Sequence, residues 1–186
     1  GNFGIKRSGV SPNYNLETRD LSIIGPDGDN TALVWGTMPT AADGINLGSR
    51  DTINNVVIRG WRAGIKVVGD HNELRRVKCN RNFYGLYWTD PDSSGYQVYD
   101  HSLYDVELQQ SWWASVAVGC DSLIGNALFD HVWFCNGAPY GIYFEKGART
   151  GTALGNPGFG NVGAKGIWNS QFIGCKWEGA GNAFIW

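Results

Sequence analysis

Apolar residues recur in pairs along this chain, two positions apart, and short polar or glycine-containing segments separate the pairs. In five stretches a first pair is followed nine or ten residues later by a second pair. Alternation with a period of two predicts strands that bury one face, and only residues 111–118 have any helical character. The sequence therefore predicts an all-β chain. The five repeats are Val56, Ile58, Ile65 and Val67; Val77, Cys79, Leu86 and Trp88; Val106, Leu108, Val116 and Val118; Val132, Phe134, Ile142 and Phe144; and Cys175, Trp177, Phe184 and Trp186.

The spacing between repeats varies at one place only. Successive repeats begin 21, 29, 26 and 43 residues apart, and the extra residues follow the second pair, at 89–103, 119–127 and 147–168. A stack of repeats tolerates such insertions, because a loop can project sideways without disturbing its neighbours. The sequence therefore predicts a solenoid over residues 21–186, after an irregular lead-in at residues 1–20. Small residues that suit a sharp corner precede the second pairs: Gly64, Gly85, Ser115, Gly141 and Ala183.

Less regular repeats are expected upstream of the first complete one. Their apolar positions are Leu21, Ile23, Leu33, Trp35, Ile45 and Leu47. At the other end, the last three residues, Phe184 to Trp186, fall within a predicted strand. Because solenoids normally cap an open apolar end, we expect a fragment of a longer β-helix or an end that another chain covers.

Equivalent positions of stacked parallel repeats lie about 4.8 Å apart, so the outward residues form columns. Around the first pairs these columns collect Arg76, Lys78, Asp105, Glu107, His131, Trp133, Lys176 and Glu178. Carboxylates for proton transfer beside an indole that stacks on a sugar ring suit a carbohydrate groove. Asp105 and Glu107 are predicted to have backbones about 6.5 to 7 Å apart, a spacing compatible with inversion or retention. The alternative is a solvated ladder of ion pairs, with Lys78 facing Glu107 and Arg76 facing Asp105.

Two tryptophans are predicted to face outward, Trp113 and Trp133, whereas Trp177 and Trp186 occupy inward columns. An exposed indole suits either a sugar or a partner chain. The outward column of the second pairs is mixed in character and favours no function. It consists of Lys66, Tyr87, Ala117, Tyr143 and Ile185.

Composition excludes several classes of protein. Glycine provides 27 of 186 residues and proline only 6, while Trp, Tyr and Phe number 9, 8 and 8, which excludes collagen, coiled coil and disorder. The net charge of −2 argues against nucleic-acid binding, and the apolar runs are too short for membrane insertion. The four cysteines, Cys79, Cys120, Cys135 and Cys175, have no metal-site spacing, so we expect structural thiols and neither metal nor cofactor.

The stretches NNVVIRG at residues 54–60 and GIKVVG at residues 64–69 resemble repeats of right-handed parallel β-helix proteins of the pectate-lyase-like fold. Glycine-rich repeats, long insertions at one corner and abundant aromatics are similar to bacteriophage tailspikes and tail fibres. That resemblance implies a homotrimer on a virion tail, or outside the cell, which contacts other tail proteins and binds or cuts bacterial surface polysaccharide. It assigns no catalytic residue here, because such motifs identify a fold rather than an active site.

Three hypotheses follow. The first is a depolymerase of capsule or O-antigen, in which Asp105, Glu107 and Glu178 supply the acid, base or nucleophile and Arg76, Lys78, Trp113, His131, Trp133 and Lys176 bind substrate. In an eliminating enzyme the base would be Lys78, Arg76 or His131. The second is a non-catalytic adhesin or structural segment of a tail appendage. We expect the third, a secreted polysaccharide lyase, to be the least favoured, because no signal sequence and no aspartate cluster for calcium is visible in the sequence.

Overall fold

The chain folds into parallel β-sheets. The computed structural model describes residues 5–6, 16–25, 43–89, 98–119, 124–135, 138–144, 167–179 and 182–185, and these ranges contain strands and no helix. Every strand pairing within them is parallel. The prediction of an all-β chain is confirmed.

Strands of the first sheet come from regularly recurring positions of the chain and are paired in chain order. They are β1 (Ile5–Lys6), β3 (Ile45–Leu47), β5 (Ala63–Val67), β7 (Tyr84–Trp88), β11 (Ala114–Val118), β15 (Tyr140–Phe144) and β19 (Asn182–Ile185). Each of them carries the second apolar pair of a repeat, or its upstream equivalent. The chain therefore returns to this sheet once per repeat.

The second sheet contains the region of the first apolar pairs. In its later repeats, two short strands take the place of one long strand. Its strands are β2 (Glu17–Ile24), β4 (Thr52–Arg59), β6 (Glu73–Asn80), β9 (Ser102–Tyr104), β10 (Glu107–Gln109), β13 (Leu128–Asp130), β14 (Trp133–Cys135), β17 (Gln171–Ile173) and β18 (Lys176–Glu178). The first half of β6 pairs with β9 and its second half with β10. A third sheet contains β8 (Val98–Tyr99), β12 (Ile124–Gly125) and β16 (Ile167–Trp168).

The register of the pairings is the one that the repeats predict. The inward position of the second sheet runs through Ile58, Cys79, Leu108, Phe134 and Trp177 as direct strand partners. The first four of these side chains are completely buried, and the Trp177 indole stacks on the Phe134 ring with centroids 3.8 Å apart. Burial raises the pKa of the Cys79 thiol to about 12, so Cys79 is an inert core residue.

Parts of the predicted insertions also form strands. β8 and the start of β9 lie within 89–103, β12 lies within 119–127, and β16 ends the insertion at 147–168. Similarly, β2 begins at Glu17, inside the predicted lead-in. Leu33, Trp35 and Trp186 lie outside the described residues.

Residues in the left-handed region of the backbone map lie close to strand ends, except for Asp20, Asn55 and Arg76, which lie inside β2, β4 and β6. Every described residue with this conformation belongs to one of three columns, whose members are equivalent in successive repeats. The columns are Arg50, His71, Asp100, Asn126 and Asn169; Asp20, Asn55, Arg76, Asp105, His131 and Gly174; and Gly60, Arg81, Gln110 and Gly179. One left-handed residue reverses the pleat locally, so each column marks a place where the backbone changes direction in successive repeats.

The small residues before the second pairs are explained by close approach of the backbone. A Cβ at Gly85 would lie 2.5 Å from the carbonyl oxygen of Ser115, and one at Gly64 would lie 2.8 Å from that of Gly85. Gly64 and Gly85 do not form the sharp corners that the repeat pattern predicts. They lie within β5 and β7, where a side chain has no room beside the next strand.

A column of buried polar side chains satisfies backbone donors inside the fold. Asn72 Oδ1 accepts the Asp51 N–H at 2.8 Å, and His101 Nδ1 accepts the Asn72 N–H at 3.2 Å. His101 is 1% exposed and packs edge-on against Trp88. Burial lowers the pKa of His101 to about 3, so the imidazole is neutral in the folded chain.

His101 is expected to make the protein acid-sensitive. Between its unfolded pKa of about 6.5 and its folded pKa of about 3, the unfolded chain binds a proton that the folded chain lacks. The free energy of unfolding should therefore decrease as pH falls below about 6.5. Relative to His101→Asn, whose amide oxygen can accept the Asn72 N–H as Asn72 Oδ1 accepts that of Asp51, the wild type should lose on the order of 1 kcal/mol between pH 8 and pH 5.5.

Urea denaturation at several pH values measures this difference. Parallel pH profiles for the wild type and His101→Asn would contradict the assignment.

Candidate functional site

The outward column of the second sheet brings together most of the predicted site. Lys78, Glu107, Trp133 and Lys176 are direct strand partners in that order, on β6, β10, β14 and β18. Glu178 lies two residues after Lys176 on β18. We call these five residues the charged face.

Both glutamates of the charged face are held by lysines. Lys78 Nζ lies 2.9 Å from Glu107 Oε2, which also accepts a 2.7 Å hydrogen bond from Gln109 Nε2. Lys176 Nζ lies 2.8 Å from Glu178 Oε2 and lowers the pKa of that carboxyl by hydrogen bonding and by its charge. The predicted contact between Lys78 and Glu107 is thus observed. The lowered pKa of Glu178 makes this residue unsuitable as a general acid, because a general acid must carry a proton at working pH.

Trp133 lies between these two ion pairs. Lys176 Nζ is 4.7 Å from the centroid of the indole, a cation–π contact, and Glu107 is the strand partner on the other side. The indole is half-buried. The charged face therefore offers paired cations, carboxylates and an apolar plate within four successive strands.

Asp105 and His131 lie at a corner rather than on a flat strand. Both have left-handed backbone, with φ of 53° and 54°, and they follow β9 and β13 respectively. Asp105 is itself the left-handed residue at the bend and Glu107 begins the strand after it, so the two do not share the continuous strand that the sequence predicted. The Asp105 side chain is exposed and has no partner among the residues that the structure describes.

Two residues of the same left-handed column as Asp105, His131 and Arg76, have partners that the sequence did not predict. His131 Nδ1 lies 2.6 Å from Asp130 Oδ1, and its ring packs against Gly174, where a Cβ would be 2.9 Å from Nε2. Arg76 donates to Asn54 Oδ1 through Nη2 at 2.8 Å, instead of pairing with Asp105. Asp130 is therefore an additional residue of this corner. The sequence indicates this role only through the position of Asp130 directly before His131.

Trp113 is separated from the other predicted site residues. It precedes β11 in the first sheet and belongs to a cluster of aromatic side chains on the outside of that sheet. We call this cluster the aromatic face. Its members are Phe83, Tyr84, Tyr87, Trp112, Trp113, Tyr140 and Tyr143.

The aromatic face is built from tyrosine pairs on alternate strands. Tyr84 stacks on Tyr87 in β7, and Tyr140 stacks on Tyr143 in β15, with ring centroids 5.3 Å apart in each pair. The strand between them, β11, has alanine at both equivalent positions. The two tyrosine pairs are therefore about 9.6 Å apart, twice the spacing of neighbouring strands.

Trp113 joins the rings into one continuous surface. Its indole stacks on Phe83 with centroids 6.3 Å apart, and it meets Tyr140 and Tyr143 edge-on at 5.2 and 5.8 Å. Alanines on β11 leave the space that this large side chain needs. In the sequence, tyrosine and alanine alternate in two columns, Tyr84–Ala114–Tyr140 and Tyr87–Ala117–Tyr143. The repeat pattern of apolar pairs indicates only the second of these columns.

The described residues form neither a metal site nor a membrane-spanning helix. Within the described ranges, no three His, Cys, Asp or Glu side chains are grouped so that they could hold a metal ion. No helix in the described part of the chain is long and apolar enough to cross a membrane. No protein-family model, curated protein or solved structure matches the chain. The two faces and the corner are therefore interpreted from their chemistry alone.

The ion pair of Lys78 and Glu107 should contribute little to folding. Both side chains are more than one third exposed, so solvent screens the pair and we expect a coupling energy of roughly 0.2–1 kcal/mol. A double-mutant cycle with Lys78→Met and Glu107→Gln, followed by urea denaturation, measures it. The matched cycle with Arg76→Met and Asp105→Asn should give zero within about 0.3 kcal/mol. Coupling above about 2 kcal/mol for Lys78 and Glu107 would contradict this description.

Proposed function

We propose that the parallel sheets close into a right-handed parallel β-helix. Three columns of left-handed residues support this, because the backbone adopts this conformation at the same three places in successive repeats. The in-register pairing of repeats up to 43 residues apart supports it as well. The right-handed sense follows from the strong preference of parallel crossover connections for that hand.

We infer that the function of this β-helix is to bind a bacterial surface polysaccharide. The observation that carries the inference is the aromatic face, a continuous surface of rings over three successive strands, in which Phe83 and Tyr84 are buried and the other five rings are half-buried. Its tyrosine pairs recur at about 9.6 Å, and a recurring surface suits a ligand that is itself a repeating polymer. Half-buried aromatic side chains with polar tips are also the residues that recognition surfaces favour.

The charged face supports binding better than cleavage. Lysines engage both glutamates, and Lys176 lowers the pKa of Glu178, whereas a glycosidase needs one carboxyl that stays protonated. In the ion pairs around Trp133, the lysines can still donate hydrogen bonds to sugar hydroxyl groups and the glutamates can still accept hydrogen bonds from them. In this proposal Lys78, Trp133 and Lys176 contact the glycan without reacting with it.

Polysaccharide cleavage is the second candidate function, and the corner column favours it. Asp105 carries an exposed carboxylate, and His131, one repeat further on, is held by Asp130 as a carboxylate holds the imidazole of a general base. Glu107 begins the next strand after Asp105. These groups, rather than Glu178, are the ones we propose for an acid–base mechanism.

The resemblance to bacteriophage tailspikes and tail fibres supports a setting for either activity. We propose a homotrimer on a virion tail or otherwise outside the cell, in contact with other tail proteins. The non-catalytic adhesin is the form of this proposal that the two faces support best. A secreted polysaccharide lyase would differ in releasing unsaturated products.

Removing a ring from the aromatic face should weaken glycan binding without unfolding the protein. We expect Trp113→Ala and Tyr143→Ala each to weaken binding to the best ligand of a bacterial polysaccharide panel by about tenfold, or about 1.4 kcal/mol. Biolayer interferometry measures the Kd, and thermal denaturation verifies folding. Tyr104→Ala, a tyrosine on β9 of the second sheet, is the matched control and should bind as the wild type does. Binding that survives both substitutions would exclude the aromatic face.

Cleavage is tested separately by the mass of the products. If the chain shortens a polysaccharide, Asp105→Asn and His131→Gln should each reduce the rate by at least about 100-fold, since a positioned acid or base contributes about that factor. Glu178→Gln should leave the rate unchanged. Ultraviolet absorbance of unsaturated sugar ends separates elimination from hydrolysis. Unchanged cleavage in Asp105→Asn, His131→Gln and Glu107→Gln would rule out this corner.

A further inference from the structure

A fixed arginine lies at one end of the aromatic face, in a position that the proposed function does not yet use. Arg62 donates from Nε and Nη2 to Asp43 Oδ1 at 3.0 and 2.8 Å, and from Nη2 to Oδ2 at 3.0 Å. Asp43 is 2% exposed, whereas the Arg62 side chain is 31% exposed. A buried carboxylate thus holds a guanidinium whose other side reaches solvent.

The guanidinium is continuous with the aromatic face. Arg62 Cζ lies 5.5 Å from the centroid of the Tyr87 ring, and Tyr87 stacks on Tyr84. Lys66 is the direct strand partner of Tyr87 on β5 and carries a second positive charge. Two cations therefore border the first tyrosine pair.

The hydrogen-bond geometry leaves donors of Arg62 available. The bonds to Asp43 use Nε and Nη2, and Nη1 has no partner among the residues that the structure describes. A guanidinium is planar, always charged and well matched to a carboxylate. Because Asp43 fixes its plane, little conformational entropy is lost when an anion binds.

We propose that Arg62 and Lys66 bind the carboxylate of an acidic sugar, so that the ligand of the aromatic face is an anionic polysaccharide. This rests on the proposed function, since the aromatic face must bind the neighbouring sugar rings. The carboxylate accepts hydrogen bonds from Arg62 Nη1 and Lys66 Nζ. No bond is broken in this step, and the site requires no metal.

The test compares acidic oligosaccharides with their carboxyl-reduced forms, in which a primary alcohol replaces each carboxylate. The probes are uronic-acid and sialic-acid oligosaccharides with their reduced partners, together with neutral oligosaccharides. We expect the wild type to bind the best acidic member at least about tenfold more tightly than its reduced form, and to lose this preference at high salt.

Two variants remove the cations without leaving a buried charge unpaired. Lys66→Gln, and the double variant Asp43→Asn with Arg62→Gln, should each weaken acidic binding about tenfold while leaving binding of the reduced form unchanged. Arg75→Gln removes an exposed cation from the second sheet and is the matched control. It should bind both forms as the wild type does.

The outcomes separate this inference from the proposed function. Equal binding of acidic and reduced forms by the wild type would overturn the role of Arg62 and Lys66 while leaving the aromatic face as a glycan site. A preference that survives both cation variants would overturn it as well. Binding to no member of the panel would overturn the proposed function itself.

Discussion

Parallel, in-register pairing between successive repeats is the constraint on which the rest of the structure depends. Backbone hydrogen bonds between strands bring equivalent positions of consecutive repeats together at about 4.8 Å, whatever the length of the intervening loop. Inward positions therefore stack apolar on apolar, as Phe134 does on Trp177. Outward positions stack in the same way, so the chemistry of each face is decided column by column.

The left-handed corners carry a cost that the same stacking offsets. A left-handed conformation costs a residue with a side chain about 1–2 kcal/mol, less for asparagine and aspartate, which tolerate it best. Neighbours within a column return part of this energy through side-chain hydrogen bonds. Asn55 Nδ2 donates to Asp20 at 2.7 Å, Asn169 Nδ2 donates to Asn126 at 2.8 Å, and Arg81 Nε donates to Gln110 at 3.1 Å. Because each such bond needs a partner one repeat away, the corners reinforce the register that creates them.

The sequence was sufficient to predict the columns but not the directions in which their side chains point. Apolar pairs determine which residues face inward, and burial of the inward column confirmed the alignment. Asp105, however, was expected beside Glu107 on a flat strand, and nothing in the apolar pattern indicates that its φ is positive. Arg76 was expected to meet Asp105, yet an amide oxygen of the adjacent repeat, Asn54, lies within reach of the guanidinium. The apolar pattern does not indicate the aromatic face, because Tyr84 and Tyr140 lie before Gly85 and Gly141, outside the aligned positions of each repeat.

Variable loops and constant columns have different consequences for function. An insertion of any length at one corner leaves Tyr84 and Tyr140 separated by the same single strand, because hydrogen bonding across β11 fixes that distance. A surface of this kind can bind a polymer with many similar, weak contacts, each contributed by a different repeat. Its affinity then grows with the number of rings in line, while its selectivity comes from residues that break the periodicity. The pair of Arg62 and Asp43, at the edge of the aromatic face, is such a break, since it places a guanidinium beside the Tyr87 ring at one end of a row of uncharged rings.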